Sequence, residues 1–402
     1  MSLKNVIFSV VPELNSQQVA FFKTHFKALE KYGINCFLWS SFVYEELGDK
    51  VIRFETGKSR WNLIKNFRIF FNPKYFKWLV RLKYWKNIKN YFELLLTHEE
   101  YYRHGQIVLN KYRPAILFVW NPGCYQFSFI GDTFKFQGVK ISYIEWGAVP
   151  GTFILTKRKS IYFSQKFKDE IFKLNNDASE TIILFLKEIF QNAASLNLYE
   201  QKKTIPFLCD SDFWNNGKLK LLIFGLSVAD SLTIPNRHSD REIYVPFFKN
   251  SYQAAEEIAT KFPLIDVVFK PHPNLNYYKE GKVRDNLIIV FGDPDLVIQK
   301  ADCVLAFGTK LEINVILHHK VLLLAGSGLL FNSNCGKSFK TKIDFFQFLM
   351  NYVKLDINSN QDKDEMILSL SKLYQQEYFP FVGHYPLFEQ NSKRIYNLIV
   401  SI

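Results

Sequence analysis

Residues 303–324 read CVLAFGTKLEINVILHHKVLLL: an apolar run, a Gly308-Thr309 turn, a stretch of helical spacing and a second apolar run. Strands buried on both faces are written as unbroken apolar runs, and two of them joined by a helix form a parallel β-α-β unit. The turn sets a glycine, a hydroxyl and free backbone N–H groups where a helix is expected to begin, a place that stabilises phosphate. Glu312 then falls one turn into that helix, where it can bond a ribose hydroxyl or merely cap the helix. Turns of this kind are common, so Gly308 and Thr309 by themselves say little about function.

One β-α unit upstream, Val267-Val268-Phe269 runs into Lys270-Pro271-His272-Pro273-Asn274. A cation, an imidazole and a rigid backbone are thereby fixed at the carboxyl end of a strand, which is where open α/β sheets bind ligands. Proline fixes φ and limits the entropy lost in aiming the imidazole. The plainer alternative is a strand-to-turn junction that carries an exposed histidine.

The same alternation extends over the chain. Val6–Val11 is a short apolar run, and 17–32 has helical spacing with Val19, Phe22, Phe26 and Leu29 on one face. Gly33 reads as its C-cap, and Ile34–Trp39 as the next strand. Further strand-like runs stand near 115–120, 140–145, 221–226, 266–270 and 287–291. Strands alternating with helical segments predict an α/β fold, its parallel sheets covered by helices on both faces.

With 402 residues, 48% hydrophobic and 17% aromatic, there is material for two packed cores. The formal net charge of +13, from 51 Lys+Arg against 38 Asp+Glu, implies an anionic partner. Cys36, Cys124, Cys209, Cys303 and Cys335 are scattered and odd in number, as small buried thiols in a reducing compartment would be. The first residues lack the apolar core of a signal peptide, and no window nears the ~18 apolar residues of a spanning helix. A cytoplasmic protein is expected, peripheral at the inner membrane face.

Two segments interrupt the pattern. Residues 58–92 carry ten lysines and arginines without an acidic residue, interleaved with Trp61, Phe67, Phe70, Tyr75, Trp78 and Trp85 among others. This basic aromatic insertion, about 58–105, has three readings: a solvated helical face, a nucleic-acid surface, or an amphipathic element meeting anionic lipid headgroups or a lipid-linked acceptor. No recognised nucleic-acid module surrounds it, and the lipid reading is favoured. Residues 164–200 read as a helical connector. The expected division is a first half over 1–200 and a second half over 201–380, with 381–402 a candidate for crossing back to the first half.

Lys-Pro-His-Pro, a hydroxyl-bearing turn, a helix with Glu312 and a strand near LLLAGSG together resemble the nucleotide half of bacterial capsule and O-antigen transferases of the GT-B architecture. In particular they resemble the retaining CMP-Kdo-dependent transferases that make β-Kdo linkages, Kdo being an eight-carbon deoxy-ulosonic acid. Glu145 to Thr152, EWGAVPGT, resembles their E-x-G-x-x-P-G-T segment, and Leu221–Ser231, LLIFGLSVADS, the segment that opens their second half. The resemblance spans about 110–330. It departs where Thr309 follows Gly308 in place of a Ser-Ser pair, and where Leu226 follows Gly225 in place of a Gln; both departures touch the donor sugar more than the fold.

The resemblance implies two Rossmann-like β/α/β domains facing a central cleft, and transfer of an ulosonic acid from a CMP-linked donor to a glycan or glycolipid acceptor. It implies a nucleotide site of Lys270, His272, Pro273, Gly308, Thr309 and Glu312. Asp230, just past an apolar strand and beside Ser231, is then the candidate nucleophile of a retaining transfer, or else caps the next helix or turn. Glu145 is the candidate general base, or a carboxylate anchoring its loop. His272 is placed to bond or protonate the departing phosphate.

No cofactor or metal is expected. His98, Glu99 and His104 lack H-E-x-x-H spacing, and neither a Walker A sequence nor G-x-G-x-x-G occurs. His318-His319, before a strand, reads as surface. Rival readings are a CMP-sialic or pseudaminic acid transferase, a polyol-phosphate transferase using CDP-glycerol, a sugar-nucleotide epimerase on the same scaffold, and a non-catalytic capsule-assembly protein.

Overall fold

The structure, a computed structural model, describes residues 4–10, 12–54, 103–120, 131, 134–135, 137–157, 179–192, 211–226, 245–273, 278–326, 328–330, 333, 335–352 and 363–402. Two compact units divide the chain: 1–160 with 377–402, and 161–376. The divisions thus fall at 160/161 and 376/377, where the sequence reading places them at 200 and 380. The basic aromatic run 58–92, the candidate nucleophile Asp230 and most of the connector 164–200 lie outside the described residues, as do Cys124 and Cys209.

The first unit is built on β1 (Lys4–Ser9), α1 (Ser16–Glu30), β2 (Ile34–Ser40), β3 (Val51–Arg53), β4 (Ile116–Trp120), β5 (Lys140–Trp146) and β6 (Thr152–Thr156). Its sheet has the order β3-β2-β1-β4-β5-β6-β14, where β14 is Tyr378–Pro380. The first five strands are parallel, and β6 and β14 are antiparallel to their neighbours. Order 3-2-1-4-5 is that of a Rossmann-like sheet, which reverses direction of winding between β1 and β4. Phe8 at the centre stacks on Phe118 at 4.5 Å and meets Phe22 and Phe26 of α1. Those rings explain the helical spacing read from Val19 to Leu29. Helix α1 starts on a capping box between Asn15 and Gln18. It stops at Glu30, with Lys31 as C-cap; Gly33, read as the cap, lies two residues further on with φ +75. There its carbonyl accepts from Lys4 at 3.1 Å and starts β2 beside β1.

The second unit contains α2 (Glu180–Asn192), α3 (Ser211–Trp214), β7 (Leu219–Phe224), α4 (Ser251–Lys261), β8 (Ile265–Lys270), β9 (Gly281–Arg284) and β10 (Leu287–Ile289). It continues through α5 (Pro294–Lys300), β11 (Cys303–Ala306), α6 (Glu312–Leu317), β12 (Val321–Ala325), β13 (Lys337–Phe339), α7 (Lys342–Tyr352) and α8 (Lys363–Glu377). The sheet runs β13-β12-β11-β7-β8-β10-β9, all parallel except β9. Counting its parallel strands in chain order gives 3-2-1-4-5-6, a second Rossmann-like arrangement with its switch point between β7 and β11. Strands β8 and β12 are buried at every position, which in β8 includes the charged Asp266 and Lys270. Cys36, Cys303 and Cys335 are buried, and burial pushes the Cys36 and Cys303 thiols far up.

The last residues of the chain belong to the first unit. Strand β14 pairs with β6, and α9 (Asn391–Ser401) packs on α1. His25 of α1 meets the Ser392 hydroxyl at 2.7 Å through Nδ1, and the Asn391 amide holds the Pro380 carbonyl at 2.6 Å. Among the described residues no helix is long and apolar enough to cross a membrane.

Candidate functional site

Three neighbouring strand ends of the second unit carry the residues singled out in the sequence. Strand β7 lies between β8 and β11, so Gly225, Lys270-Pro271-His272 and Gly308-Thr309 all emerge at the carboxyl edge around the switch point. The Gly225 amide donates to the Lys270 carbonyl at 2.8 Å. A Cβ on Gly225 would stand 3.0 Å from Pro271 Cα and 3.1 Å from the His272 nitrogen, so glycine is what admits the Pro-His segment this close.

Lys270 is buried, and desolvation holds its ammonium down to a pKa of about 8, with the charge of Asp293 offsetting part of that effect. His272 is driven down to about 4, first by burial and then by the Lys270 charge. The imidazole is therefore neutral near pH 7. It can donate one ring N–H to an anion, whereas the proton-donor role read from the sequence requires that anion to raise its pKa first.

The turn after β11 differs from expectation. Gly308 adopts φ +97, and the Thr309 hydroxyl accepts the Leu311 amide at 3.3 Å. This side-chain turn competes with the helix, which begins only at Glu312 and lasts six residues. Glu312 is thus the first residue of α6 and not one turn into it. It is fully buried, and its Oε2 accepts the Leu330 amide at 2.8 Å. A Cβ on Gly328 would overlap the Glu312 carboxylate, so this glycine is what lets the carboxylate hold the loop that follows β12. Pro273 closes the turn after His272.

His318 departs from the surface position read for it. It is the C-cap of α6, with Nε2 3.1 Å from Oδ1 of a buried Asp295, an oxygen that also accepts the Asn314 amide at 2.9 Å. Asp293 was missed. Its signal was the Gly292-Asp293-Pro294 turn after the apolar run, an N-cap followed by proline at the first helical position.

In the first unit, β5 runs through Trp146, so Glu145 lies inside the strand opposite Ile154 rather than at its end. It is half-buried and acts on Tyr378 of β14. That phenol is pushed up chiefly by burial, against the effect of the Ala148 backbone, with Glu145 and Glu377 adding to the rise. The segment after Glu145 is a tight turn. The Gly147 amide donates to the Thr152 carbonyl at 2.8 Å, the Thr152 hydroxyl to the Val149 carbonyl at 2.6 Å, and Gly151 takes φ +72 against the Tyr385 ring. Its glycines and threonine are accounted for by the turn itself.

The sequence matches no family model and no curated protein. The fold is similar to that of KpsC of Thermosulfurimonas dismutans, in its β-Kdo 2,7 transferase structure, at 13% identity and TM-score 0.39 over 74% of this chain and 89% of that one. For the β-Kdo 2,4 transferase structure of the same KpsC the values are 9% and 0.41 over 64% and 79%. The UDP-GlcNAc 2-epimerase of Methanocaldococcus jannaschii is similar at 12% and 0.38 over 99% of both chains.

Proposed function

We propose that this chain is a metal-independent glycosyltransferase that moves an ulosonic acid, Kdo first among the candidates, from a CMP-linked donor to a glycan or glycolipid acceptor of a surface polysaccharide. The observation that carries this reading is the cation and imidazole of Lys270-Pro271-His272 at the carboxyl edge of a Rossmann-like sheet, with only β7 between them and the strand that leads into the Gly308-Thr309 turn. The motif resemblance over 110–330 supplies the donor class. The net charge of +13 suits phosphate donors and anionic membrane surfaces alike.

In this reading Lys270 and the neutral His272 receive the phosphate of CMP as charge builds on it, a role for which fixed donors in a dry site are suited. A carboxylate oxygen of Asp230 forms a bond to the anomeric carbon while the bond to phosphate breaks, and CMP leaves with the electron pair. The acceptor oxygen then displaces that carboxylate and gives its proton to Glu145, so that configuration is retained overall. Glu312, buried under the loop after β12, shapes the site and does not touch the nucleotide.

Incubation with CMP-Kdo, CMP-sialic acid, UDP-GlcNAc and CDP-glycerol in excess EDTA tests the proposal. CMP release should be fastest from CMP-Kdo, and Asp230→Ala should lose transfer while still binding CMP. Turnover of UDP-GlcNAc alone, or a strict need for Mg²⁺, would overturn it.

A further inference from the structure

The turn that follows β10 is over-determined. Gly292 takes φ +116, Pro294 stands at the first helical position of α5, and the Asp293 side chain accepts the Asp295 amide at 2.9 Å. Strands β10 and β8 are parallel neighbours, with Ile289 opposite Phe269 and the Val290 amide on the Phe269 carbonyl at 3.0 Å. The end of β10 therefore runs beside the end of β8, and the Asp293 carboxylate is fixed where its charge acts on Lys270.

We propose that Asp293 is the positioning residue of this anion site, its carboxylate holding the Lys270 ammonium at the carboxyl end of β8. The proposal rests on the reading of that edge as a phosphate site. Among the described residues, the titratable groups that act there are Asp293 from the β10–α5 turn and His272, neutral near pH 7, from the same segment as Lys270. The end of β7 packed against them brings Phe224, Gly225 and Leu226, none of which titrates. Asp295, two residues on, is engaged by Asn314 and His318. A buried ammonium far from any carboxylate would shed its proton near neutral pH and cease to attract phosphate. One carboxylate, spent partly on a helix cap, keeps it charged without filling the place of the incoming anion.

Asp293→Asn separates charge from cap, because asparagine caps as well as aspartate does. The titration of Lys270 is followed by NMR of the protein labelled with [ε-¹³C]lysine, its signal assigned by its loss in Lys270→Met. The Lys270 midpoint should move down in Asp293→Asn, raising the neutral fraction at pH 7 by roughly three- to fivefold. It should return in Asp293→Glu, and the pH at which CMP affinity falls away should move down with it. An unchanged Lys270 midpoint in a folded Asp293→Asn overturns the proposal. Asp293→Ser, which also caps without charge, answers the same question if the asparagine variant does not fold. Absence of CMP binding in the parent protein would sink the phosphate-site reading, while the NMR titration would still decide the part of Asp293.

Discussion

Lys220 and Lys270 are both 3% exposed and stand on neighbouring strands of one sheet, at its opposite ends. Lys220, at the amino end of β7, bonds the Asn216 side chain and the Lys218 carbonyl, each at 2.7 Å, and lies 3.1 Å from the fully buried Asp266. Asp266 is its register partner on β8 and takes the Asn216 amide at 2.7 Å as well. Lys270, at the carboxyl end, is held down to about 8 by desolvation that Asp293 offsets only in part. Burial is equal; Lys220 has a buried carboxylate and two neutral acceptors within reach, while at Lys270 desolvation outweighs the charge of Asp293. A lysine whose charge is satisfied within the fold has a structural task. Under the proposed function Lys270 is instead the one that takes the anion, at the edge where Rossmann-like sheets bind ligands.

The largest effect should come from breaking the satisfied end. Asp266→Ala leaves Lys220 buried with only neutral acceptors, and should cost about 3–5 kcal/mol in urea unfolding. Replacing Lys220 with Met in the same chain should recover most of that loss. CMP affinity should be unchanged in whatever fraction remains folded. If Asp266→Ala weakens CMP binding more than it weakens folding, the two ends of the sheet are not separable.

Lys270→Met should act with the opposite sign. Its folded pKa of about 8 lies below the unfolded value, so the unfolded chain binds more protons between about 8 and 10.5. Folding therefore carries the full penalty below pH 8, and stability rises as pH climbs through that window. Removing the amine should stabilise the protein at pH 7 by about 1–3 kcal/mol, a gain that closes towards pH 10.5, and should abolish the CMP-induced rise in Tm. For the parent protein, CMP stabilisation should decline as pH passes about 8, where Lys270 loses its charge. A destabilised Lys270→Met would place Lys270 with Lys220 as a structural residue.

These contrasts were only partly legible in the sequence. Strand-like runs gave away β1, β2, β4, β5, β7, β8, β10, β11 and β12, and β7 and β8 were apolar enough to be read although they bury Lys220, Asp266 and Lys270. The short edge strands β3, β9 and β13 escaped, since three or four partly exposed residues carry no period, and β14, though buried, has only three residues; β6, buried throughout, was hidden behind the turn at 147–151. Lys270 and His272 were readable because a cation and an imidazole ended an apolar run. The burial of Glu312 was not, because the backbone amide of Leu330 that it accepts and the bare Cα of Gly328 beside it leave no polar side chain to notice. His318 was misread for a related reason: its partner Asp295 lies 23 residues upstream.

The smallest effect on stability should be the most telling about the site. Gly225→Ala places a methyl 3.0 Å from Pro271 Cα and 3.1 Å from the His272 nitrogen, both backbone atoms that cannot swing aside. The strand end and the Pro-His segment must part by a few tenths of an ångström, straining the 2.8 Å bond from the Gly225 amide to the Lys270 carbonyl. Alanine also narrows the unfolded ensemble, which recovers part of that strain, so the net loss should stay near 1 kcal/mol. The consequence for binding should be larger than for folding, because the displaced atoms are the ones that aim Lys270 and His272. A CMP-induced Tm shift reduced by half or more, in a variant of nearly parental stability, is the expected result. A full shift in Gly225→Ala would mean that the close approach of β7 to Lys270-Pro271-His272 serves packing alone, and that the carboxyl end resembles the amino end more than its lysine suggests.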